Sequence, residues 1–272
     1  VLKLFGLQDV ESLAWRTGFQ GRHQVDVLDL VTPQPRKGLL ALYDQPNVSL
    51  DRLPPLPVSL RSFSVQAFDA KQVWDTSAEL IAAVATIVGG LSGAEDGGRL
   101  RSAVVEFGGE NAAEWRRELF DSLGNVLCTW SDTDQELLSL GRWNIALSVK
   151  DSAALQKNLD LLFARIREQH NSFEHTTSKR HGCPFYVFAS RASGLKPCAA
   201  LCDDWLIFGL QTQTVEATVL RSKGRLPRWK GEVAKTTGVE PPQKFHALSW
   251  SDPRSTVRFA MSLLPWIADF TN

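Results

Sequence analysis

Along this chain the spacing of apolar residues changes in a recurring order. A run that is apolar at every second position or throughout comes first, then one Asp or Thr, then a run with a period near 3.6. Ser62–Phe68 leads through Asp69 into a helical stretch reaching about Val88. Trp143–Val149 leads through Asp151 into a helix ending near Gln169, and Phe245–Trp250 leads through Asp252 toward Phe270. A shorter version runs from Trp205–Leu210 through Thr212 or Thr214 to about Ser222. The first run makes a strand with at least one buried face, and the Asp or Thr accepts bonds from the free N–H groups opening the helix. Leu155, Leu159, Leu162 and Ile166 form one apolar stripe, as do Val257, Met261 and Leu264, with Pro253 at the tolerated first helical position. Pro265 is expected to kink or shorten that last helix.

Segments joined by tight turns separate these units. Glu11–Phe19 and His23–Val31 read as a hairpin through Gln20-Gly21-Arg22. Phe185–Ser190, Pro197–Leu201 and Trp205–Leu210 read as a meander with turns at Ser193-Gly194 and Asp203-Asp204. The pattern predicts an α+β fold: a mainly antiparallel sheet with amphipathic helices packed on one face, built from repeated strand–helix units. Asp44–Ser59, with Pro46, Pro54, Pro55 and Pro57, is expected to run extended on the surface, and Gly224–Pro242 is a second connector. Leu91–Gly98 reads as a Gly-rich, acidic loop. The seams suggest a β-rich hairpin segment with its connector over residues 1–58, central repeats and meander over 59–223, and a connector with a final unit over 224–272. At 272 residues these make one or two packed units.

Composition narrows the class. With 43% apolar and 22% charged residues the chain is globular, and wholesale disorder, collagen and coiled coil are excluded. Thirty basic residues against thirty acidic ones leave no overall field to steer it onto nucleic acid or an anionic membrane. The longest nearly uncharged run, Ala78–Leu91, is too short to span a bilayer. The chain begins with Val1 and has Met261 as its single methionine, so it reads as a piece of something longer, with any export signal upstream. Cys128, Cys183, Cys198 and Cys202 are too few for a disulfide-built scaffold. Free buried thiols are the expectation, with a bridge among Cys183, Cys198 and Cys202 as the alternative, since those three belong to neighbouring strands.

Several local patterns fit together at this point. Glu118-Leu119-Phe120-Asp121-Ser122-Leu123-Gly124-Asn125-Val126 closes a helix with Leu-Gly and opens a strand. Lys150-Asp151-Ser152-Ala153-Ala154-Leu155 follows Trp143–Val149, and Asp203-Asp204-Trp205-Leu206-Ile207-Phe208-Gly209 precedes a short helix. Arg36-Lys37-Gly38-Leu39-Leu40-Ala41-Leu42 sits between prolines. This order resembles a family of exported bacterial proteins catalogued only as a domain of unknown function, whose members repeat strand–helix units. The resemblance covers about two thirds of the chain and implies an extracytoplasmic location, in the periplasm or cell envelope. It implies another envelope protein, or the rest of the chain's own longer protein, as partner. It supplies no activity, cofactor or catalytic residue.

Candidate chemistry is sparse. His170, Glu174, His175, His181 and Cys183 fall within fourteen residues, but without the paired spacing of a zinc site, and His170 also suits a helix C-terminus. Asp132 and Asp134 lack the ligand count and central Gly of a calcium loop and read as helix caps before Glu136. Asp203-Asp204 reads as a turn before a catalytic dyad. Ser92 sits in a broken nucleophile elbow, and Gly89-Gly90, Gly93 and Gly97-Gly98 do not have phosphate-loop spacing. Arg221, Lys223, Arg225, Arg228, Lys230 and Lys235 gather around Trp229, a pattern that grips phosphates and stacks a base, or else a solvated connector whose Trp packs back. Trp15, Trp74, Trp115, Trp130, Trp143, Trp205, Trp250 and Trp266 are expected to be mostly core. No catalytic, cofactor-binding or metal-binding residue is assigned. The expectation is a non-enzymatic binding or structural module of a larger exported protein. The alternatives are a hydrolase with dispersed residues near 170–183 and, more weakly, an anion or nucleic-acid binder through 221–235.

Overall fold

The computed structural model describes residues 6–20, 23–36, 40–41, 44–60, 62–75, 112–131, 144–169, 173–190, 196–229 and 243–251. Strands β1 (Ser12–Gln20) and β2 (His23–Val31) pair antiparallel in the expected hairpin. There follow β3 (Ser62–Ala67), α1 (Ala112–Ser122), β4 (Leu123–Ser131), β5 (Asn144–Val149) and α2 (Ser152–Gln169). Next come β6 (Phe173–Arg180), β7 (Cys183–Ser190), β8 (Cys198–Cys202), β9 (Trp205–Gly209), α3 (Thr212–Ser222) and β10 (Ala247–Ser251). The last eight strands form one sheet in the order β10-β3-β4-β5-β9-β8-β7-β6, with every neighbouring pair antiparallel. The fold is α+β. The chain divides into two compact units, residues 1–45 with 69–112, and 46–68 with 113–272; the eight-stranded sheet belongs to the second.

The Asp caps work as their spacing requires. Asp151 Oδ1 accepts from the N–H groups of Ala153 and Ala154, at 3.0 and 2.9 Å, which opens α2. Asp69 Oδ1 accepts from Gln72 N–H at 2.9 Å as a helix begins over residues 70–75. Neither expected Thr caps α3. Its N-cap is Gln211, and Thr214 Oγ1 instead donates to the Gln211 carbonyl at 2.9 Å. The helix predicted beyond Asp252 and the turn at Ser193-Gly194 lie outside the described residues.

The helices do not share one face of the sheet. Val215 and Val219 of α3 pack with Phe185, Ala200 and Ile207, all fully buried. Tyr186, next to Phe185 and so on the opposite face, stacks on Phe163 of α2 with centroids 4.5 Å apart and planes at 12°. Its hydroxyl donates to Asp160 Oδ1 at 2.7 Å. Helices on both faces follow from the middle strands: all five residues of β8 are buried, and a strand apolar on both sides needs a cover on each.

Two further expectations are corrected. The proline-rich stretch lies only partly on the surface: Pro46 is exposed, but Pro54, Pro55, Leu56 and Pro57 are all buried. Prolines carry no N–H to satisfy, and the Leu56 carbonyl is met by Trp229 N–H at 2.9 Å. Trp15 is not core: it is 73% exposed on β1, in the same alternating set as exposed Leu13 and Phe19. Trp115 and Trp130 are buried as expected. Gly124 explains the Leu-Gly junction after α1. A Cβ there would lie 2.8 Å from Ser148 Cβ, where β4 shifts register against β5 and Ser148 Oγ accepts from Val126 N–H at 2.9 Å.

Candidate functional site

Two tight turns meet at one end of the sheet. The β6–β7 turn is His181-Gly182, with φ of 52° and 83°, so both central residues are left-handed, as the type I′ hairpin turn requires. The β8–β9 turn is Asp203-Asp204, with Asp203 at φ 52°. Asp and Gly bear this conformation at low cost, which is why these positions turn the chain. Between the turns, Cys183 of β7 and Cys202 of β8 form a disulfide, with Cα atoms 5.2 Å apart and both residues buried. The bridge was the alternative expectation; Cys128 and Cys198 are the free, buried thiols. Burial pushes both thiols up to about 12, so they stay protonated and unreactive at neutral pH.

Helix α3 brings charge onto the turns. Glu216 Oε1 lies 2.9 Å from His181 Nε2, and its Oε2 accepts from Arg180 Nη1 at 3.2 Å. Arg225 Nη1 approaches His181 Nδ1 at 3.4 Å. In the neutral ring, Nε2–H donates to Glu216 while Nδ1 accepts from Arg225, so both ring nitrogens are engaged. The Arg180 guanidinium also lies 5.5 Å from the centroid of the Phe185 ring. On the neighbouring turn, Asp203 accepts from Lys223 Nζ at 2.6 Å and from the Ser222 hydroxyl. The Asp203 carbonyl also accepts from Ser152 Oγ, at 3.1 Å, which ties the turn to the start of α2. The His181 hydrogen bond, helped by the Arg180 charge, holds the Glu216 carboxyl below its ordinary range. Hydrogen bonds from Lys223 and Ser222 do the same for Asp203.

Two concavities lie near this cluster or along the sheet. A polar cleft of about 440 Å³ opens beside Asp204, lined by Asp51, Arg52, Asn125, Ser148 and Lys150. An apolar groove of about 310 Å³ crosses β5, β9, β8 and β7 on the α2 side, lined by Ile145, Phe188, Pro197, Phe208 and Leu210. In the polar cleft the hydroxyl of Ser148 already accepts from Val126 N–H. Among the described residues, no group of three His, Cys, Asp or Glu is placed to hold a metal ion.

The sequence candidates separate clearly. Of the fourteen-residue cluster, His181 joins the charge network and Cys183 is consumed by the disulfide. Glu174 and His175 lie in β6, their side chains outside the described set, as is His170. Asp132, Asp134, Ser92 and the glycines of 89–98 also lie outside it. In the basic segment, Lys223 and Arg225 reach Asp203 and His181, and Trp229 packs back on Phe63 at 5.3 Å; Lys230 and Lys235 are not described. Glu216 was missed by sequence reasoning. The signal for it was weak: a single acid on a short helix, 35 residues from the His-Gly turn it meets. No helix among the described residues is long and apolar enough to cross a membrane. Comparison with protein-family models, with curated proteins and with solved structures finds no match.

Proposed function

We propose that the chain is a non-enzymatic binding or structural module of a larger exported bacterial protein, built from repeated strand–helix units. The observation that carries this reading is the engagement of His181 on both sides, by Glu216 and by Arg225. A general base needs a free nitrogen lone pair within reach of a substrate proton, and this ring has none to spare. Glu216 and Asp203, both held anionic by their donors, are likewise poor proton donors at neutral pH. Their geometry suits a clasp that fixes two hairpins to one helix.

The disulfide supports export, because such bridges persist in oxidising compartments. Asp69 and Asp151 support the repeat, since each caps its helix through the same bond to the N–H three residues on, at 2.9 Å in both. The partner in this reading is another envelope protein or a further part of the same longer protein. Esterase, peptidase and glycosidase substrates, assayed with and without zinc, are expected to show no turnover above the blank. Robust turnover that disappears in His175→Ala, or in His181→Ala, would overturn the proposal in favour of a hydrolase.

A further inference from the structure

The polar cleft beside Asp204 is built where the sheet breaks its regular pairing. Strands β4 and β5 pair at Leu123↔Val149 and again at Leu127↔Leu147. Gly124, Asn125 and Val126 therefore stand against Ser148 alone, and all four line the cleft. A bulge of this kind bends its strand and re-aims side chains, and such bulges concentrate beside active sites. At about 440 Å³ the hollow has the size of a small-molecule site.

The backbone around it is held while the side chains are left over. Arg52 N–H donates to the Ser49 carbonyl at 3.2 Å, and Lys150 N–H to the Ser122 carbonyl at 2.8 Å. The carbonyls of Asn125 and Asp204 accept from Phe68 and Val149 N–H, at 2.9 and 2.8 Å. Among the described residues, the side chains of Arg52, Asn125, Lys150 and Asp204 make no hydrogen bond or ion pair. Ser148 Oγ accepts from Val126 N–H, which leaves its own O–H to donate. The neighbouring turns differ: Asp203 is paired with Lys223, and Glu216 with Arg180 and His181.

These leftover groups select the ligand. Arg52 and Lys150 only donate, Asp204 only accepts, and Asn125 does both. An anion would suit the two cations but face Asp204 and Asp51, and a cation would do the reverse. An apolar ligand would strand all of them. A hydroxyl both donates and accepts, so a ring with hydroxyls around its rim meets every group without carrying charge. Half-buried Trp205, with Val126 and Val149, supplies an apolar wall for the C–H face of such a ring. We propose, resting on the binding-module reading above, that this cleft is a binding site for a small neutral saccharide.

Isothermal titration calorimetry on the full chain tests this. The probes are hexoses, N-acetylhexosamines and their disaccharides, with inorganic phosphate and glycine as charged controls. The expected result is saturable binding of at least one neutral saccharide and of neither control. Arg52→Ala and Asp204→Ala each remove one exposed, unpaired side chain. Each is expected to weaken that binding by about tenfold with the melting temperature nearly unchanged. Absence of saccharide binding at millimolar concentration overturns the site and leaves a structural module standing. Binding of phosphate or glycine, or saccharide binding that neither substitution moves, overturns it as well. A saccharide that binds and is then cleaved upholds the site and overturns the non-enzymatic reading instead.

Discussion

Asn158 sits in α2 with 1% of its surface exposed, and among the described residues neither its amide oxygen nor its nitrogen has a hydrogen-bond partner. Leu155 and Leu159 beside it are buried against the sheet in the ordinary way. A buried amide without partners loses its bonds to water and gains nothing in return. Replacement by a side chain of similar volume removes that cost, so Asn158→Leu is expected to stabilise the fold by about 1–2 kcal/mol. Chemical denaturation of the two proteins measures it, and a destabilised variant contradicts the assignment. The stripe containing Leu155 and Leu159 was readable from spacing alone, because a period of 3.6 is a local property. The polar residue inside it was not, since periodicity says nothing of what a side chain finds to bond.

At the scale of elements, α3 is held to the hairpin turns by charge as well as by Val215 and Val219. Glu216 and Asp203 both titrate below their ordinary values of 4.5 and 3.8. A depressed carboxylate contributes stability that is fully present above its unfolded value and is lost as pH falls through the folded one. Stability is therefore expected to decline on acidification below about pH 4.5. Glu216→Gln should be less stable than the parent at pH 7, and the gap should narrow as both are titrated toward pH 3 and below. A constant gap across that range would show that Glu216 acts through shape and not through charge. Capped helices and turn-linked strands were legible because Asp151, Asp69 and the turn residues act on neighbours a few positions away. The Thr caps expected for α3 failed where a nearby glutamine took the position. The side of the sheet each helix covers was not legible from one strand, although the unbroken apolar run of β8 was a sign of two-sided burial.

For the whole molecule, strand order is the part that local pattern does not supply. β10 closes the sheet beside β3, with Trp250 opposite Phe63, though nearly the whole repeat region separates them in sequence. The candidate site has the same character: His181, Glu216, Asp203 and Lys223 come from two turns and one helix, and no linear motif contains them. The buried prolines at 54, 55 and 57 show the converse, a composition typical of surface linkers taken into the core by its contacts. On this account the sheet's turn end is a fixed clasp, with the Cys183–Cys202 bridge at its centre and the paired charges around it. Closing a loop with a sequence separation of 19 is worth about 3 kcal/mol by chain entropy. The deciding measurement is equilibrium unfolding of the parent, with and without reductant, beside the Cys183→Ser/Cys202→Ser double variant. The expected result is a loss of about 3 kcal/mol on reduction and in the variant, with the native circular dichroism retained. Equal stability in all three, or cysteines that titrate as four thiols in unreduced, unfolded protein, would contradict the clasp.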